Sequence, residues 1–365
     1  MNNLVGDLSE LRFLSNLVSL QVYENQLAGE VPREIGEFRH LVNLSLYMNN
    51  LTGQLPPALG SWAMFNAIDA SENFLTGSIP PDMCKKGAMT QLLLLQNTFT
   101  GTIPGTYANC FTLRRFRVGK NLLSGMVPDG IWGLPRVVLI DVELNRFEGS
   151  IAPDIANAKS LAKLHVGDNQ MDGELPAELS KASSLTAIDL SSNRFHGQIP
   201  ANIGELKELS NLDLENNEFS GSLPESLGSC SSLNVIKIAN NSLSGEIPPT
   251  LGSLPNLNSL NLSENRLSGE IPSTLSSLHL SLLDLSNNDL TGQVPDSLSV
   301  DAYNGSFVGN ARLCSHTASY LPRCPSQSRS SKKYRALIVG ISVTGMTFLL
   351  LAVLLLRSGR HCRFH

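Results

Sequence analysis

Apolar residues recur along this chain in a fixed frame. In residues 41–56, LVNLSLYMNNLTGQLP, three leucines (Leu41, Leu44 and Leu46) alternate with Asn43, Ser45 and Tyr47. That alternation specifies a short strand with its leucines inward and its polar residues outward. Asn49 follows three residues after the last leucine, then Gly53 and Pro56, which gives the frame L-x-x-L-x-L-x-x-N-x-L-x-G-x-I-P. Aligned on the asparagine, it returns every 24 residues at Asn25, Asn49, Asn73, Asn97, Asn121, Asn145, Asn169, Asn193, Asn217, Asn241 and Asn265, with Asn288 after 23.

A period in this range with this leucine spacing predicts an α/β-type leucine-rich-repeat solenoid, with short parallel strands on a concave face. The inward asparagine amide is expected to satisfy backbone groups of neighbouring coils that burial would otherwise orphan. Gly53 supplies a positive φ or a close backbone approach on the convex side, and Pro56 an edge that needs no donor.

The pattern divides the chain. Residues 1–295 form the repeat array, a partial first repeat followed by twelve others. Residues 296–325 lose the leucine spacing and read as a C-terminal cap, and residues 326–335 form a polar, basic juxtamembrane linker. Residues 336–356, ALIVGISVTGMTFLLLAVLLL, carry no charge over 21 positions. At ~1.5 Å per residue they span about 31 Å, enough for one transmembrane helix across a ~30 Å bilayer core. A short basic tail, 357–365, follows. Arginines and lysines flank the apolar segment on both sides, so charge counting leaves its orientation open. The first residues match the second half of a repeat, with neither a capping repeat nor a secretory signal ahead of them, the expectation for a truncated chain.

The net charge of -5 conceals an asymmetry, because residues 1–324 hold 20 Lys/Arg against 32 Asp/Glu. An acidic solenoid is a poor surface for nucleic acid. Cys84, Cys110 and Cys230 read as buried packing residues. Cys314 and Cys324, in the small cap, read as a disulfide and hence as a mark of an oxidising compartment. Sequons at Asn43, Asn50, Asn240, Asn261 and Asn304 are compatible with glycosylation. No cofactor or metal motif is legible, and neither a Gly-rich phosphate loop nor the catalytic motifs of a kinase occur, so the chain reads as a binding protein and not an enzyme.

On the concave face the fifth motif position runs from Gln21 through Leu93, Arg117, Asp141 and His165 to Asp284. Arg115 shares a strand face with Arg117. Two guanidiniums side by side on an acidic surface suit a carboxylate held by forked hydrogen bonds, or they are a solvated basic spot paired with Asp141 and Glu143. Leu93 and Leu95, one coil earlier, and Tyr47 further on, are outward candidates for side-chain recognition.

The L-x-G-x-I-P half resembles the plant extracellular class of leucine-rich repeats, in which the Ile-Pro segment forms a second sheet that twists the horseshoe. With the stretches PPDMCKKGAM, LLLLQNTFTG, YANCFTLRRFRVGKN, LSLLDLSNNDLTG and YNGSFVGNARLC, the chain resembles the ectodomain and membrane anchor of plant leucine-rich-repeat receptor-like kinases of subfamily XI, nearest its HAIKU-type members. The resemblance implies a single-pass plasma-membrane receptor with extracellular repeats. It also implies a small secreted peptide as ligand, an Arg-x-Arg clamp on the peptide's C-terminal carboxylate matching Arg115 and Arg117, and a co-receptor leucine-rich-repeat kinase near the C-terminal repeats. The alternative is a kinase-less receptor-like protein or scaffold that recognises another protein through the same face.

Overall fold

The computed structural model describes residues 2–325. The transmembrane segment expected at 336–356, its flanking linker and the basic tail lie outside these residues. Among the described residues no helix is long and apolar enough to cross a membrane.

The repeats form the expected solenoid. Twelve three-residue strands, from Ser19–Gln21 to Leu282–Asp284, make one parallel sheet in chain order. Its register advances by one repeat per strand: Gln91 pairs with Arg115 and Arg115 with Leu139. The middle residue of each strand is buried and its neighbours face outward, as in Arg115, Phe116 and Arg117. Most coils return through a short 3-10 turn, one returns through an α-turn at Asp129–Trp132, and those at 57–60 and 81–86 return through plain turns.

The asparagine ladder is as expected. Asn121 accepts the Phe99 N–H at 3.0 Å and donates to the carbonyls of Leu94 (2.9 Å), Val118 (3.0 Å) and Gly119 (3.0 Å). One amide thus ties three backbone segments of two coils, removing the cost of leaving buried peptide groups unpaired. The ladder continues one rung past the recognised repeats. Asn310 accepts the Leu290 N–H and donates to Leu285 O and Phe307 O, while Phe307 and Leu313 are buried. The segment after residue 295 is therefore stacked as a further coil although its leucine spacing has lapsed.

Two expectations need correction. The second layer is built from the segment before Ile-Pro and is broken into three shorter sheets: the strand Ser242–Glu246 pairs with Arg266–Glu270, whereas Ile247 is buried in the core and Pro248 caps the 3-10 turn Pro249–Ser253. A proline has no N–H for a ladder, and the isoleucine contributes more by burial. Gly245 in that strand does take the expected positive φ, +77°. Second, Cys84 and Cys110 are joined by a disulfide, with Cα atoms 5.9 Å apart, across consecutive coils. Their separation of 26 residues is one repeat plus two, and stacking brings the two positions together. Cys230 keeps the packing role: it is free and buried, and burial pushes its thiol pKa up to about 11. Cys314 and Cys324 are each disulfide-bonded.

Candidate functional site

The outward face of the long sheet carries the residues that the repeat does not dictate. Strand Arg115–Arg117 presents both arginines on it, and in register with Arg117 lie Leu93 on one side and Asp141 on the other. The two arginines differ in state. Arg117 donates from Nε (3.0 Å) and a terminal nitrogen (2.9 Å) to Oδ2 of Asp141. Its side chain is 37% exposed and that of Asp141 only 3%. Asp141 is therefore a buried carboxylate that orients Arg117, leaving the other guanidinium donors of Arg117 without a partner among the described residues. Arg115 is exposed, and among the described residues no ion pair or hydrogen bond engages its side chain.

Asp141 is only half satisfied, because its Oδ1 is buried without a hydrogen-bond partner among the described residues. That oxygen occupies space left by Gly119, where a Cβ would lie 2.5 Å from it. A side chain at position 119 would displace the carboxylate that steers Arg117. Next to this pair, Glu143 lies 3.7 Å from Lys120 and 3.9 Å from His165.

Leu93 and Leu95 are both half-buried on the same face, one coil before the arginines. Tyr47 is half-buried two coils before Leu95, and its hydroxyl pKa is raised chiefly by the negative charge of Glu72. The structure thus brings Leu93, Arg115, Arg117 and Asp141 onto adjacent strands, and leaves Tyr47 on a separate, acidic stretch of the face.

Of the five sequons, Asn50, Asn240 and Asn304 are exposed. Asn43 and Asn261 are half-buried on the sheet face, and the Asn261 amide donates to Glu215 Oε1 at 2.7 Å. The asparagines of the sheet face are thus poor acceptors beside Asn50, Asn240 and Asn304. On and beside this face, sequence reasoning left the partnered state of Arg117 open and missed the bridge between Cys84 and Cys110. The signal for the second was the spacing of one repeat plus two.

A family pattern described as Leucine Rich Repeat matches residues 40–62, 184–206, 208–230, 232–254, 256–278 and 279–300. Among curated proteins none matches the chain. Among solved structures, the Arabidopsis receptor kinase HAESA in complex with the peptide hormone IDA and the co-receptor SERK1 is 40% identical over 89% of this chain and 54% of its own, with a TM-score of 0.86. The plant peptide hormone receptor RGFR1 in complex with RGF2 is 31% identical over 86% of this chain and 55% of its own, with a TM-score of 0.77. PEPR1 with AtPEP1 is 29% identical over 86% and 55%, at 0.69. The chain spans about half the length of these solved chains. It is a leucine-rich-repeat solenoid whose structural neighbours are ectodomains of plant receptor kinases.

Proposed function

We propose that this chain is the ligand-binding region of a plant receptor-like kinase of the subfamily XI, HAIKU-like kind, and that its concave face captures a small secreted peptide. Arg115 and Arg117 hold the peptide's C-terminal carboxylate, Asp141 orients Arg117, and Leu93 and Leu95 take up side chains nearby. Tyr47 contributes only if the peptide extends two coils beyond Leu95. One observation carries this reading: an exposed, uncommitted Arg115 stands beside an arginine aimed by a buried aspartate. Both lie on a fold whose solved neighbours bind peptide hormones. Charge-assisted hydrogen bonds contribute about 1.5–3 kcal/mol each, enough for two arginines to set the register of a flexible ligand.

The rest of the receptor belongs to the same proposal: a bridge between Cys314 and Cys324 closing the cap, glycans at Asn50, Asn240 and Asn304, a membrane anchor at 336–356, extracellular repeats, and a co-receptor kinase near the last coils. The test is binding of synthetic free-acid peptides to the chain and to its Arg115→Ala/Arg117→Ala variant. Loss of at least tenfold in affinity supports the clamp. Unchanged affinity in a folded double variant overturns it. Selective capture of a folded protein, with no peptide bound, favours the scaffold reading instead.

A further inference from the structure

Beyond the arginines, on the next three coils, the same face gathers a second set of chemically capable side chains. Glu143, His165 and Asp189 each present a ligand atom, and these atoms lie within 4.8 Å of one another. Consecutive strands hold them in place: His165 is the register partner of both Asp141 and Asp189, and Glu143 stands two residues beyond Asp141. All three are half-buried.

We propose that Glu143, His165 and Asp189 form a binding site for a transition-metal ion of the Zn2+ class. The imidazole is the first reason. Its Nδ1 is 3.9 Å from Glu143 Oε2, beyond hydrogen-bond range, and its Nε2 is shielded from solvent without a partner among the described residues. A half-buried histidine with neither nitrogen hydrogen-bonded has polar capacity that the fold does not use. Two ligand atoms bonded to one Zn2+ at about 2.0–2.2 Å in tetrahedral array stand roughly 3.4 Å apart, so small side-chain rotations bring the three donors onto one ion.

The surroundings are the second reason. Asp189 Oδ1 accepts from the Ser191 N–H (3.0 Å) and the Ser191 hydroxyl (2.7 Å). These bonds fix the carboxylate and leave Oδ2 for a ligand, the arrangement by which outer hydrogen bonds orient a metal-binding carboxylate. Gly167 keeps the adjoining space clear, because a Cβ there would lie 3.0 Å from Asp189 Oδ1 and 3.1 Å from Ser191 Oγ. Among the described residues no lysine or arginine is ion-paired to Asp189, and Lys120 lies 3.7 Å from Glu143 Oε1, on the other oxygen from the one that faces His165. One nitrogen and two oxygen donors suit Zn2+ better than Mg2+ or Ca2+, which prefer oxygen alone. A bound ion would link three consecutive coils beside the Arg117–Asp141 pair.

The experiment is calorimetric titration of the 365-residue chain with Zn2+, with Mg2+ as the comparison ion. The expected result is one saturable Zn2+ site whose affinity falls at least tenfold in His165→Ala and in Asp189→Asn. The second variant is isosteric and keeps an acceptor for Ser191, so it serves if the first does not fold. A His361→Ala/Cys362→Ala/His365→Ala variant, which removes the donors of the tail, is expected to leave that site intact. The inference is overturned if Zn2+ does not bind, if both site variants bind it unchanged, or if the tail variant alone abolishes binding.

Discussion

Two stretches of the same sheet face use acids and bases in opposite ways. Around Lys237 the polar groups close on one another: Lys237 meets Asp213 at 3.2 Å, and Asn261 donates to Glu215 while its own oxygen accepts from Ser263. Around Arg117 the set is left open. Arg115 has no partner among the described residues, Asp141 Oδ1 and His165 Nε2 are unsatisfied, and two leucines stand half-buried alongside. The asparagine ladder beneath both stretches is the same. The difference in polar pairing therefore lies on the face and not in the ladder, and unspent polar capacity marks where a ligand is expected to bind.

The largest expected effect tests whether the scaffold is equal under both stretches. Asn121→Ala and Asn241→Ala each remove an amide with four backbone partners. Each is expected to destabilise by on the order of 3 kcal/mol, since several buried groups lose their partners. Denaturant unfolding checks it, and a loss confined to one site breaks the comparison.

The next effect belongs to the Arg117 side only. The Cys84–Cys110 bridge ties the coil of Leu93 and Leu95 to that of Arg115 and Arg117. Replacing both cysteines by alanine is expected to cost about 3 kcal/mol for a loop of this length, read as a lower unfolding midpoint. An unchanged midpoint would remove this stiffening from the account.

Smaller, but more specific, is the contrast between the arginines. Arg117→Ala strands a nearly buried Asp141 and is expected to cost about 1–2 kcal/mol, discounted because Arg117 is itself 37% exposed. Arg115→Ala is expected to cost less than about 0.5 kcal/mol. Equal losses would mean that Arg115 is not held in reserve for a ligand.

How much of this was legible in sequence follows from what repeats. The leucines and Asn121 are periodic because every coil needs them, so the fold could be read from spacing. Asn310 completes the ladder without leucine spacing around it, and Cys84 meets Cys110 through the stacking of coils. Such features depend on three-dimensional neighbours and leave little periodic trace. Arg115 and Arg117 were visible as departures from the frame, but the pairing that separates their roles depends on how far Asp141 sinks beside Gly119. A single repeat's pattern does not encode that depth.

The smallest effect concerns the closed stretch. Burial is the main cause that raises the pKa of Asp213 above 3.8 and that of Glu215 above 4.5. The folded state therefore binds more protons than the unfolded one in the window above those values, and stability falls as pH rises through it. Asp213→Asn is expected to flatten that decline in thermal melts across the window. A variant that declines as steeply as the parent contradicts the assignment.

The most direct measurement of the central claim is a paired titration of synthetic peptides, each as free acid and as C-terminal amide, against the chain. The account predicts that peptides bound as acids lose at least tenfold in affinity on amidation, and that this difference shrinks in Arg115→Ala and disappears in Arg115→Ala/Arg117→Ala. Equal affinities for acid and amide would contradict a carboxylate clamp at Arg115 and Arg117.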